Sequence, residues 1–127
     1  MSSESDKNKS NAISFYKMAF KGNPKKAVEL YVGKEYIQHN PLVGDGIELF
    51  IAYFERMANE YPNKSIEFLR AVAEGDLVSL HTHQTWPDGE EYVTMDFFRF
   101  DTDGKIIEHW DSMQKIPEKS ENKNTMY

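Results

Sequence analysis

The sequence predicts an α+β domain in which three helices precede a meander of antiparallel strands. Three observations carry this. Before Pro62 the apolar residues recur at helical spacing. After it they alternate with other residues at strand spacing. The alternating runs are joined by short Gly-containing turns, Glu74-Gly75-Asp76, Pro87-Asp88-Gly89 and Asp101-Thr102-Asp103-Gly104. Helices and strands segregated along a chain pack as separate layers. The expectation is a curved sheet whose concave face holds the helices and encloses a pocket.

Residues 1–10 are polar and are expected to form a disordered tail. From Asn11 the pattern is helical: Ile13, Tyr16 and Phe20 share one face, flanked by Ala12, Phe15 and Ala19, and Gly22 is a stop. Asn23-Pro24 reads as an N-cap and first-turn proline. Ala27, Val28, Leu30 and Tyr31 give the second helix its apolar face, and Gly33 is expected to end it. Glu35 to His39 reads as a short extended piece before the Asn40-Pro41 turn. Asp45 and Glu48 resemble a capping box for a third helix. Its stripe is Ile47, Phe50, Ile51, Phe54, Ala58 and Tyr61, and Pro62 stops it.

Four strands follow: one from about Ile66, then Leu77 to Trp86, Glu91 to Phe100, and Lys105 to Lys115. The domain is therefore expected over 11–117, with a polar tail over 118–127. Register decides which side chains meet. A three-residue loop after Asp101 pairs Phe100 with Ile106, Phe98 with Glu108 and Asp96 with Trp110. One face then carries Asp96, Phe98, Phe100, Ile106, Glu108 and Trp110, and this is the face assigned to the pocket. The other carries Met95, Phe97, Arg99, Ile107, His109 and Asp111. The same turn type at Pro87-Asp88-Gly89 pairs Leu80 with Asp96 and Val78 with Phe98, whereas a two-residue turn shifts this by one. A single bulge would also change it.

A chain of 127 residues is one domain by length and can bury a core. Its net charge of −6, with acids and bases interspersed, argues against nucleic-acid phosphates and against an anionic membrane surface. With no cysteine there are no disulfides or thiolate metal sites. The polar N-terminus lacks the apolar core of a signal peptide, and no apolar run approaches the ~20 residues of a membrane helix. A soluble cytoplasmic protein is expected.

Asp96 lies among Val93, Met95, Phe97, Phe98 and Phe100. Desolvation there would raise its pKa and suit it to general acid-base work; the alternative is a structural ion pair. His39 lies in a loop at the pocket lip, where a binding or catalytic group is well placed. His81 and His83 share a strand face and, with Asp111 or His109, could bind a metal, although a lone His-x-His pair is a weak pattern. Trp110 and Trp86 could wall a pocket, and Glu108 would stand at its rim. No Gly-rich phosphate loop and no nucleophile elbow is present.

Four stretches carry a family resemblance: YIQHNP at 36–41, GDLVSLHTH at 75–83, MDFFRFDTDGKIIEHWDSMQ at 95–114, and the ending ENKNTMY. Together they resemble the SnoaL-like branch of the NTF2-like superfamily, in particular small bacterial proteins of the predicted aldol-condensation-catalysing type. The resemblance covers nearly the whole chain from about Asn11, and DFFRFDTDGKIIEHWD is its specific part. It implies an NTF2-like cone: helices on the concave side of a curved antiparallel sheet, a conical pocket, and dimerisation through the outer sheet face. The name-giving polyketide cyclases perform an intramolecular aldol condensation without cofactor, using a pocket acid and a histidine. By that analogy Asp96 would be the acid/base, with His39 or His81 assisting, and Tyr36, Phe98, Glu108 and Trp110 would line the pocket. The function this implies is cofactor-free acid-base chemistry on an apolar carbonyl compound: condensation, cyclisation or isomerisation. The alternative is a non-catalytic binder of a hydrophobic small molecule.

Overall fold

A computed structural model describes residues 3–127. The order is α1 (Glu4–Phe20), α2 (Pro24–Tyr31), β1 (Val32–Gln38), α3 (Ile47–Glu60), then β2 (Ser65–Glu74), β3 (Leu77–Thr85), β4 (Glu91–Phe100) and β5 (Ile106–Lys115). The sheet order is β1-β5-β4-β3-β2. The last four strands form the antiparallel meander, but β1 joins the edge parallel to β5, so the sheet is mixed rather than wholly antiparallel. No helix among the described residues is long and apolar enough to cross a membrane.

The first helix starts earlier than its polar composition suggested. Ser3 caps it by accepting from the Asp6 N–H, and Glu4 and Asp6 sit in the first turn, where the helix dipole favours acids. Residues 4–10, expected to be tail, are thus its opening turns. It ends as expected at Gly22, whose φ of 100° only glycine adopts readily. The Asn23 N–H bonds the Met18 carbonyl and the Gly22 N–H bonds that of Ala19, a Schellman arrangement.

Two other local expectations change. Gly33 does not end α2 but lies inside β1. A Cβ there would fall 2.9 Å from Asp101 Oδ2 and 3.0 Å from Ile107 Cγ2, so the glycine permits β1 to approach β5 closely. Asp45 does not cap α3, whose N-cap is Gly46. Its carboxylate instead accepts the Gln38 N–H at 2.9 Å, tying the loop before α3 to the end of β1.

The core lies between the inner sheet face and the helices. Phe15 of α1 stacks on Phe50 of α3 at 5.1 Å and meets Phe98 of β4 edge-on at 6.0 Å. Leu80, Val78 and Ile106 are fully buried beneath them. The β3–β4 register is the one that a three-residue turn implies, Val78 with Phe98 and Leu80 with Asp96.

The β4–β5 register is not the expected one. Asp101 and Lys105 close the turn, and Phe100 still opposes Ile106, but Arg99 then opposes Glu108. Ile107 is the extra residue of a β-bulge. Every later side chain of β5 changes face in consequence. Phe98 pairs with His109, Phe97 with Trp110 and Asp96 with Asp111. His109 and Asp111 therefore point into the cone, and Glu108 and Trp110 point out.

Candidate functional site

The cone holds a narrow cavity of about 60 Å³, or about 620 Å³ when its open mouth is included. Its walls are mostly aromatic, with Phe15, Phe20, Phe50, Phe54, Trp86 and Phe98 contributing. Polar groups are few: Gln38, Asn40, His109 and Asp111 from β1, its following loop and β5, with Gln84 and Lys64 elsewhere on the wall. Apolar walls with a few convergent polar groups are the usual make-up of a small-molecule site.

The polar groups form one ordered network. Asp96 is completely buried beneath the cavity wall. Its Oδ2 lies 2.7 Å from His109 Nε2, and its Oδ1 accepts from the Thr94 hydroxyl at 2.6 Å. That hydroxyl lies 2.5 Å from Thr82 Oγ1. His109 Nδ1 lies 2.8 Å from Gln38 Oε1, which also accepts the Asn40 N–H at 3.0 Å. Gln38 Oε1 is thus an acceptor, so Nδ1 carries a proton and donates it. Nε2 is held against the Asp96 carboxyl. Both ring nitrogens are occupied, and the imidazole is fixed rather than free to act on a ligand.

Asp111 is different. Its Oδ2 accepts from Asn40 Nδ2 at 3.0 Å, while its Oδ1 takes no protein hydrogen bond among the described residues and can meet a ligand. The Asn40 amide is itself oriented, because its Oδ1 accepts the Leu42 N–H at 2.8 Å. Burial pushes the Asp111 carboxyl above the usual range. The negative charge of Asp96 adds to that, while His109 and the Asn40 bond oppose it. Burial likewise raises the Tyr16 and Tyr36 phenols well above their ordinary value, with Asp96 contributing.

Of the residues singled out from sequence, Tyr36 and Phe98 line the cavity. Asp96 sits directly behind it, bonded to His109. Glu108 and Trp110 do not line it, because the bulge turns them outward. His39 lies with them: its Nε2 is 2.7 Å from Glu108 Oε2, and its ring stacks on Trp110 at 4.9 Å. Arg99 pairs with the same carboxylate and lies 5.5 Å from the Trp110 ring. His81 also faces outward, bonded to Arg70 and to the Met126 carbonyl. His81 and His83 therefore cannot converge with His109 or Asp111 on one metal. One donor atom each from Asp96, His109 and Asp111 lies within 4.8 Å of the others. A cation there would have to displace the Asp96–His109 hydrogen bond, so the set fits proton chemistry better. Gln38, Asn40 and the inward role of His109 and Asp111 were missed. The one sequence sign was the consecutive Ile106-Ile107, which interrupts strand alternation where the bulge falls.

Three helices packed on a curved sheet around an apolar, acid-bearing cavity define the fold as NTF2-like. The SnoaL-like domain family matches residues 12–109, and the chain belongs to that family. No curated protein matches it significantly in sequence. Among solved structures it is similar to TsrD from Streptomyces laurentii, at 22% identity and TM-score 0.71, covering 84% of this chain and 87% of that one. It is also similar to a candidate polyketide cyclase from Bacillus cereus ATCC 10987, at 17% identity and TM-score 0.75, covering 89% and 78%. A candidate SnoaL-like polyketide cyclase from Jannaschia sp. CCS1 is similar at 17% identity and TM-score 0.73, covering 89% of each chain. At these identities the likeness shows the fold.

Proposed function

We propose that the protein is a small acid-base enzyme acting on an apolar carbonyl compound, with Asp111 as its acid/base. The observation that carries this is the Asp111 carboxyl, raised by burial and set in an aromatic cavity with one oxygen open to a ligand. Ionised Asp111 would take the proton from the carbon beside the carbonyl, and the electron pair would pass to the carbonyl oxygen. The Gln38 amide and the Tyr36 hydroxyl, both on the cavity wall, would donate to the resulting enolate. The enolate carbon then attacks a second carbonyl, or is reprotonated at another position. In either case Asp111 returns the proton. His109 and Asp96 are positioning residues here: they hold Gln38 and set the charge around Asp111. No step requires a cofactor. Half-exposed Met95 and Phe97 on the outer face support a second copy docking there.

Exchange of the α-hydrogens of cyclopentanone in deuterated water, followed by NMR, tests the reaction without knowing the natural product. The wild type should accelerate exchange, and Asp111→Asn should lose about 10²- to 10⁴-fold of that acceleration. Equal exchange by both proteins would remove Asp111 from the mechanism. Binding of the ketone with no exchange by either would leave the non-catalytic binder.

A further inference from the structure

The cavity has a second pole that acid-base chemistry does not use. Lys64, in the connection between α3 and β2, lines the same cavity as Asp111. Its ammonium lies 4.8 Å from the centroid of the Phe20 ring. Tyr61 and Phe20 both meet Trp86 edge-on beside it, at 4.8 and 6.2 Å. Among the described residues no carboxylate lies within ion-pair distance of it, whereas Lys9 and Lys115 each have one. Burial lowers its pKa, the sign of an ammonium partly withdrawn from water.

A cation over an aromatic ring has an unremarkable explanation, since such a contact contributes on its own. That accounts for the ring but not for a wall position with no carboxylate within ion-pair reach. We infer that Lys64 is a specificity residue that takes the carboxylate of the substrate, making the substrate class an elongated keto acid. The inference rests on the acid-base reading of Asp111 and deepens it. Lys64 precedes Ser65, which pairs with Thr85, five residues along β3 from Leu80. Leu80 is joined through Asp96 to Asp111. The strand rows that carry the two poles are thus five residues apart, roughly 17 Å of backbone at ~3.4 Å per residue before the two side chains reach into the cavity between them. The offset keeps the substrate's negative charge away from Asp111 and leaves the aromatic wall for an apolar chain between.

The test is calorimetric titration of 7-oxooctanoate and of its methyl ester into wild type, Lys64→Met and Lys64→Arg. The acid should bind the wild type at least about tenfold more tightly than the ester, the scale of one charge-assisted hydrogen bond. The preference should vanish in Lys64→Met, persist in Lys64→Arg, and shrink with added salt. Lys64→Gln serves as a second neutral variant if the methionine does not fold. Equal binding of acid and ester to wild type, or a preference that survives both neutral variants, overturns the role of Lys64 and leaves the pocket reading standing. Binding of neither compound overturns both.

Discussion

His109 and His83 are buried almost equally, at 7% and 8% exposure, on opposite faces of one sheet. His109 lies under the concave face, and its acid partner Asp96 is 0% exposed. His83 lies on the convex face, where Tyr127 of the chain's own ending stacks on its ring at 3.8 Å. Its acid partners, Glu91 at 2.8 Å and Glu67 at 3.6 Å, have side chains 43% and 73% exposed. The same residue type at the same burial is thus held in two ways. Inside, both partners are desolvated and geometrically locked. Outside, the ring is covered but its charges remain in water. Burial of the histidine alone does not distinguish a site from a surface; burial of its partner does.

Removing the acid partner from each histidine should break the comparison most sharply. Asp96→Ala leaves the His109 Nε2 side and the Thr94 hydroxyl without their acceptor in a dry environment. It should destabilise the fold by about 3–5 kcal/mol, the scale for breaking a buried pair. Glu91→Ala removes a half-exposed partner and should cost less than about 1 kcal/mol. Urea unfolding of both variants measures the difference. Equal losses would mean that Asp96 is not desolvated as its surroundings require.

Neighbouring residues on β4 offer the same contrast without charge. Phe98 is 1% exposed and packs on Phe15, Tyr16 and the His109 ring, while Phe97 is 46% exposed on the other face. Phe98→Ala should cost about 3–5 kcal/mol. Phe97→Ala should fall within about 0.5 kcal/mol in a monomer. A larger loss at Phe97 that grows with protein concentration would instead mark the outer face as an interface between copies.

The two faces also differ in how far the sequence revealed them. Helical stripes, strand alternation and Gly turns disclosed all three helices and the four-strand meander, because each is a local pattern. The β3–β4 register followed from a turn type, for the same reason. The β4–β5 register did not, because a bulge at Ile107 has no turn signature of its own and falls where β1 packs across the chain, Gly33 against Ile107. One residue of slip moved His109 and Asp111 from the outer face to the cavity and moved Glu108 and Trp110 the other way. The parallel β1–β5 pairing and the Asp45–Gln38 tie are likewise long-range or loop contacts with no periodic signature. Asp96 was recognisable as a buried acid from its apolar neighbours, but whether it faced ligand or protein was not local information.

Asp111 sharpens the comparison by the smallest effect, and its two pH dependences should run in opposite directions. Its folded pKa is raised above the ordinary 3.8, chiefly by burial. The native state therefore holds the proton more tightly than the unfolded chain does. The associated stability is fully present below the ordinary value and is lost as the pH rises through the folded one. Asp111→Asn has no charge to desolvate and keeps an oxygen for the Asn40 amide. It should be more stable than wild type at neutral pH, and the gap should close as the pH falls toward 3.8. Other acids titrate in both proteins and cancel in the difference. The proposed catalysis requires the opposite form, because only ionised Asp111 can accept a proton. Exchange of cyclopentanone hydrogens should rise with pH over the same interval in which the stability difference opens. Coincident curves of opposite slope would tie the strain of a buried charge and the reactivity of the site to one carboxyl. A stability gap that stays constant with pH would show that Asp111 is solvated as freely as the glutamates of the outer face, and the case for it as the reacting base would fall with that.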